Sequence, residues 1–328
     1  MIKSIICALV MLGTASTLVA QVDEIKLDTV QAKITTVSAM RARTGPQVSA
    51  AEVVRLKLGT IVNAVARSTN QDTIGGKTDY WYRVSLPNGQ PGWLFGGLLL
   101  DYTAERRQEL LRQIIEARLK AENTDFADRQ EIYKLAASAV TEAKDVNARA
   151  EFELLKLLAL ASVAAMFPDE QREKSPYREW LKAHAGEVFP DEFAGGYTLR
   201  SELLWDLEAK YHTLPIADRI AWAAANNPQP SDCEGDEVCH FFIGAGEIKY
   251  LSRHPNGAHA SEALKDLIAV LTDELIRTAN DKGGDKYAVD QRNDLRKLLA
   301  SLRVAVEKTS APEKSELLKK LERITPGR

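Results

Sequence analysis

The run Asp79–Leu98, Asp-Tyr-Trp-Tyr-Arg-Val-Ser-Leu-Pro-Asn-Gly-Gln-Pro-Gly-Trp-Leu-Phe-Gly-Gly-Leu, constrains the fold more than any other stretch of the chain. Tyr80–Leu86 is aromatic and β-branched, Gly92–Phe95 repeats that character, and Pro87-Asn88-Gly89 separates them. Asn-Gly is a strong hairpin signal because both residues tolerate the positive φ of a type I′ turn, so two antiparallel strands are predicted. Tyr82, Val84 and Leu86 then share one face, and Trp81, Arg83 and Ser85 the other. The second set is more polar and is expected to face outward. An exposed Trp beside Arg suits a groove for a peptide or glycan, since ring faces stack and the guanidinium donates hydrogen bonds. The competing reading has Trp81 and Trp93 packed as apolar caps.

The sequence around this hairpin is of the same kind. Ile34–Met40, Val53–Leu58 and Ile61–Ala66 are short β-prone runs, with Gly45-Pro46, Gly59 and Gly75-Gly76 between them. Five or six such strands within about 65 residues read as a small β-barrel over residues 33–102. Polar, acidic 21–32 reads as a linker.

These landmarks carry a family resemblance. Met40-Arg-Ala-Arg-Thr-Gly-Pro46 resembles the N-V-R-x-G-P opening of bacterial SH3 (SH3b) domains, with Met-Arg-Ala in place of Asn-Val. Leu58-Gly-Thr60 resembles their L-x-x-G-T turn. Tyr80-Trp-Tyr-Arg-Val84, Asn88-Gly89 and Gly92-Trp-Leu94 resemble their closing W-Y-x-V, D-G and G-W-V elements. The resemblance spans residues 33–101 in order, and Arg67–Thr78 departs from it as an insert. It implies a module that binds peptidoglycan stems or bridges, or docks a protein partner, and on the groove reading of the hairpin Trp81, Arg83 and Trp93 are the expected binding residues.

Met1–Ala20 has the pattern of a secretory leader: Lys3, an apolar run over Ser4–Leu12, then small residues at Gly13, Ala15, Ser16 and Ala20. Cleavage is expected after Ala20 or Ala15, and the run is short for a membrane span. The expected location is therefore periplasmic or extracellular. The net charge of −3 over 328 residues offers no basic stripe for nucleic acid.

From Thr103 the periodicity becomes helical. Leu110, Leu111, Ile114, Ile115 and Leu119 recur at helix spacing, and Asn123-Thr124-Asp125 caps a second helix. Ala148–Phe167 is strongly apolar but contains Lys156, so a buried central helix is expected rather than a span. Further helices are predicted over 176–185, from Thr198 to Tyr211, from Pro215 to Asn226, and over 237–253, 258–280, 286–307 and 312–324. Ala245–Leu264 contains Tyr-Leu-Ser-Arg-His-Pro-Asn-Gly, similar to a tetratricopeptide-type junction, where Pro255 ends a helix. No regular 34-residue period accompanies it. The expected architecture is multi-domain β + α: an SH3-like β-barrel, then an all-α, repeat-like domain over 103–328.

Chemistry-bearing residues are sparse. Cys233 and Cys239 form an even pair expected to be a disulfide in an exported chain. A metal set of Cys233, Cys239, His240, His254 and His259 lacks the tight Cys-x-x-Cys spacing of zinc sites, and no metal or other cofactor is expected. Cys239 as a hydrolase nucleophile lacks following strands to carry a His, and neither Gly-x-Ser-x-Gly nor His-Glu-x-x-His occurs. Asp232, Glu234, Asp236 and Glu237 lack EF-hand spacing and read as a solvated loop at a helix start. His254 and His259 are expected at helix ends. The expected function is non-catalytic binding at the cell envelope, with the helical domain as a protein-interaction scaffold. The alternatives are a peptidoglycan hydrolase, whose paired carboxylates cannot be chosen from 46 acidic residues, and a purely structural module.

Overall fold

The computed structural model describes residues 23–167, 169–191, 196–227, 233, 236–243, 245–280 and 289–324. The expected leader lies outside them. Among the described residues the protein is β + α, 51% helix and 22% strand. It divides into two compact units, one of residues 23–56 and 60–102, the other of residues 57–59 and 103–324.

The first unit is a seven-stranded antiparallel sheet of β1 (Glu24–Thr35), β2 (Met40–Arg43), β3 (Glu52–Leu56), β4 (Ile61–Ile74), β5 (Lys77–Ser85), β6 (Pro91–Phe95) and β7 (Leu99–Asp101). Their order is β3-β2-β6-β5-β4-β1-β7. The region expected as a linker, 21–32, is mostly strand. Glu24, Ile25 and Lys26 pair with Ser68, Arg67 and Ala66, and after a bulge the strand resumes pairing at Gln31. Its exposed Ile25 and Val30 give it little apolar alternation to read. The run Ile34–Met40 is not continuous, because a turn through Ala39, at φ 49°, separates β1 from β2.

Two turns also differ from expectation. Arg67–Thr78 is no loop insert. It extends β4 and β5 into a ribbon closed at Gly75-Gly76, whose φ values of 58° and 77° match a type I′ turn flanked by the pair Ile74↔Lys77. At Pro87-Asn88-Gly89 only Gly89 has positive φ, and its N–H donates to the Leu86 carbonyl at 2.8 Å. The proline ring holds φ negative, which forbids type I′ and leaves a type I turn with glycine in the left-handed position after it.

The second unit holds twelve α-helices among the described residues, with one two-stranded ribbon. They are α1 (Arg107–Leu119), α2 (Phe126–Glu142), α3 (Val146–Ala164), α4 (Tyr177–Ala183), α5 (Ser201–Lys210), α6 (Ala217–Ala225), α7 (Glu237–Ile243), α8 (Ala245–Arg253), α9 (Ala260–Val270), α10 (Asp273–Asn280), α11 (Val289–Lys308) and α12 (Lys314–Glu322). The ribbon, β8 (Val188–Asp191) with β9 (Gly196–Leu199), corrects the all-α expectation; Thr198 is a strand residue paired with Phe189, not a helix cap. Two expected helices are each divided in two. Leu271 ends α9, and Thr272 caps α10, accepting from the Leu275 N–H at 3.1 Å. Asp125 and Asp128 form a reciprocal capping box at α2, satisfying donors that a helix start leaves unpaired.

Apolar α3 is a core helix, with Phe152, Leu154, Leu155 and Leu160 buried, and among the described residues no helix is long and apolar enough to cross a membrane. Packing is mostly between sequence neighbours, α2 on α3, α5 on α6 and α8 on α9, while α11 returns to lie on α8.

The junction after α8 shows why its glycine is there. A side chain at Gly257 would collide with the Asp218 carboxylate and the Tyr250 hydroxyl. Those two groups are bonded, Tyr250 Oη donating to Asp218 Oδ1 at 2.7 Å, which ties α8 to α6. Gly257→Ala is expected to cost about 1–3 kcal/mol by forcing that pair apart, measured by urea unfolding. The Sγ atoms of Cys233 and Cys239 are 2.01 Å apart, at disulfide distance. By loop-closure entropy, Cys233→Ser/Cys239→Ser should lower stability by about 2 kcal/mol, and a reductant should do the same to wild type and nothing to the variant.

Candidate functional site

The register of β5 with β6 places Trp81 opposite Phe95 and Arg83 opposite Trp93. These side chains therefore share the face opposite to the one where Val84, Leu86 and Leu94 pack on Met40, Ala42, Leu56 and Val62. Trp81, Arg83 and Trp93 do lie on one face, but not as an open platform. Trp81 is 3% exposed and Trp93 4%, packed with Phe95 and bordered by Ile74 and Leu98. The Trp81 and Phe95 rings are tilted, with centroids 5.7 Å apart. Arg83 is bound by Glu24, Nε to Oε2 at 2.8 Å. The exposed Trp–Arg groove is thus corrected: burial of a third aromatic, Phe95, and an acidic partner on the strand expected as a linker close that surface.

This unit has a cleft of about 360 Å³ beside Trp81. A bulge makes it. Arg67 pairs with Tyr82 and Gln71 with Tyr80, so Ser68, Thr69 and Asn70 together stand opposite Trp81. Bulges re-aim side chains in this way, and here they turn Thr69, Asn70 and Gln71 into the cleft. Ser68 clamps the distortion: its Oγ accepts from the Trp81 N–H at 3.0 Å and donates to the Asn70 carbonyl at 2.6 Å. Asp72 holds the tryptophan's polar edge, Oδ2 accepting from Trp81 Nε1 at 3.2 Å, and its Oδ1 accepts from the Thr73 N–H at 2.9 Å. Pro46, Gln47 and Asp23 also line the cleft. Its lining residues include two carboxylates, Asp23 and Asp72, and no cationic side chain, beside amide side chains that donate and accept, while Arg67 donates to the Ser68 carbonyl at 3.2 Å. That chemistry suits a peptide with a positive group.

The chemistry-bearing groups of the helical unit are mostly structural. Glu208, 3% exposed, accepts from Arg253 and sits 3.0 Å from His254 Nε2, so the residue at the end of α8 pins α5. His259 stacks on Trp222 with ring centroids 4.6 Å apart. Neither histidine approaches the cysteines' helix in a ligand set, and no group of three or more His, Cys, Asp or Glu able to hold a metal ion occurs among the described residues. Asp236 caps α7, its Oδ1 accepting from the N–H groups of Val238 and Cys239; Asp232 and Glu234 lie outside the described residues.

Glu247 on α8 is a perturbed carboxyl that sequence alone could not select. Burial, reinforced by the charge of Asp266 on α9, pushes its pKa up to about 7, against the favourable backbone hydrogen bond. Its Oε2 has no hydrogen-bond partner among the described residues.

No family model, curated protein or solved structure matches the chain.

Because the folded state holds the Glu247 proton more tightly than the unfolded chain, it binds more protons between about pH 4.5 and 7. Stability is therefore expected to fall as pH rises through that window and to level off above it. Glu247→Gln should flatten this slope and be more stable than wild type at pH 8, by about 1–2 kcal/mol once solvent screening of the partly exposed carboxyl is allowed for. Urea unfolding at a series of pH values measures it.

Proposed function

We propose that this protein is a non-catalytic binding protein of the cell envelope, exported, whose sheet unit is an SH3b-like module. In this reading the module takes an extended peptide carrying a free amine, of the kind found in peptidoglycan stems, in the cleft beside Trp81. The single observation that supports it most is the bulge of Ser68–Asn70 opposite Trp81, which opens an acidic, amide-lined cleft. Buried Trp81 lines the cleft and packs with Trp93 and Phe95, and Arg83 braces β1 through Glu24. The leader-like Met1–Ala20 and the cysteine pair at disulfide distance support an oxidising compartment. The helical unit serves as the scaffold for protein partners.

Asp72→Asn keeps an acceptor for Trp81 Nε1 while removing the charge, and Asn70→Ala removes an exposed amide. The double variant should co-sediment with purified sacculi roughly tenfold more weakly than wild type, the equivalent of about 1.4 kcal/mol. N-acetylation of a soluble stem peptide's free amine should weaken binding to wild type comparably. Wild type that ignores sacculi and peptide alike would remove peptidoglycan as the ligand; loss of turbidity of the sacculi would show an enzyme instead. Equal binding by the double variant would move the site off this cleft.

A further inference from the structure

We propose that the helical unit has a second binding site, for a small amphipathic anion, in the cleft between α4 and the β8–β9 ribbon. The cleft measures about 380 Å³, within the range of small-molecule sites. Two regular elements build its walls. On α4, Arg178, Leu181 and Lys182 are spaced i, i+3, i+4, so they lie on one helix face. On the ribbon, Pro190 stands directly opposite Tyr197 and Val188 is two residues away, so all three share a sheet face.

The two walls divide the chemistry between floor and rim. Val188 is buried, Leu181 and Tyr197 are half-buried, and the Tyr197 ring is anchored against Phe167 at a centroid distance of 5.5 Å. These residues make an apolar floor on a fixed support. Arg172, Arg178 and Lys182 are exposed around it, with Glu173 the only carboxylate among the lining residues. Arg178 already meets Glu179, Nη2 to Oε1 at 2.9 Å. Arg172 and Lys182 have no ion-pair or hydrogen-bond partner among the described residues. In a chain of net charge −3, this is a local excess of positive charge over an apolar surface.

A ligand complementary to both features has an anionic head, carboxylate or phosphate, and an apolar body of about ten non-hydrogen atoms or a little more. The head would sit by Arg172 and Lys182 and the body on Leu181, Val188 and Tyr197. A neutral molecule of the same shape gains only the floor. This site is independent of the acidic cleft of the sheet unit, which has the opposite charge.

The test titrates the full chain with octanoate, octyl phosphate and octanol below their micellar concentrations, following amide chemical shifts of the helical unit. Both anions are expected to bind at least tenfold more tightly than octanol, and the stronger of the two identifies the head group. Arg172→Glu/Lys182→Glu, at two exposed positions, should weaken the anions at least tenfold and leave octanol unchanged. Raising the salt concentration on wild type should weaken the anions alone, which reads the charge contribution without any variant. Anions that bind no better than octanol, or that bind the charge-reversed variant as well as wild type, would overturn the proposal. So would shifts that fall elsewhere than α4 and the ribbon.

Discussion

The pairing of β4 with β5 carries the sheet unit. These are long, adjacent central strands, and both apolar clusters of the unit draw on them. Val62 and Ala64 of β4 meet Val84 of β5 on one face, while Ile74 and Trp81 meet on the other. A single pairing can serve two faces because side chains alternate along a strand, and a bulge can change which face a residue serves without breaking the ladder on either side. The bulge opposite Trp81 does this. It leaves three residues against one, and Ser68 satisfies the backbone groups that the irregularity would otherwise strand.

Burial of Trp81 and Trp93 and openness of the neighbouring cleft are two consequences of that geometry. The rings fill the sheet face together with Phe95, and the Trp81 edge reaches a polar partner in Asp72. A tryptophan placed this way offers no open ring face for stacking; it forms part of the cleft wall. Lys33 plays a similar supporting part at the far end, bonded to Asp101 at 2.6 Å across β1 and β7 and lying 4.3 Å from the centre of the Tyr82 ring.

In the helical unit, buried polar contacts fix which helices meet. Glu208 receives Arg253 and His254, and Asp218 receives Tyr250, so the C-terminal end of α8 is tied to two helices earlier in the chain. A buried carboxylate without such partners is costly, which makes each pairing specific as well as attractive. Glu247 is the counterpart: burial, with the charge of Asp266 beside it, pushes its pKa up to about 7. Charge left at the surface is arranged differently, acidic beside Trp81 and cationic beside Tyr197.

Local signals were legible where one residue type meets one local demand. Period-2 and period-3.6 patterns separated a β region from a helical one near residue 102, Asp125 marked a helix start, and Pro255 marked a helix end. The even cysteine pair with a short spacing pointed to its own partner. Other features waited for the tertiary structure, because they depend on groups far apart in sequence. Residues 24–35 become a strand only through β4 and β7, since their own alternation is weak. Whether Trp81 faced water or protein turned on Phe95, Ile74 and Leu98, and no strand pattern states which face of a sheet will be covered. The cleft at Asp72 rests on a register shift, the cationic cleft on a helix meeting a ribbon, and the proton affinity of Glu247 on burial between helices. Periodicity encodes which side of an element is apolar; only the assembled chain decides what that side meets and which polar groups are left with an open face.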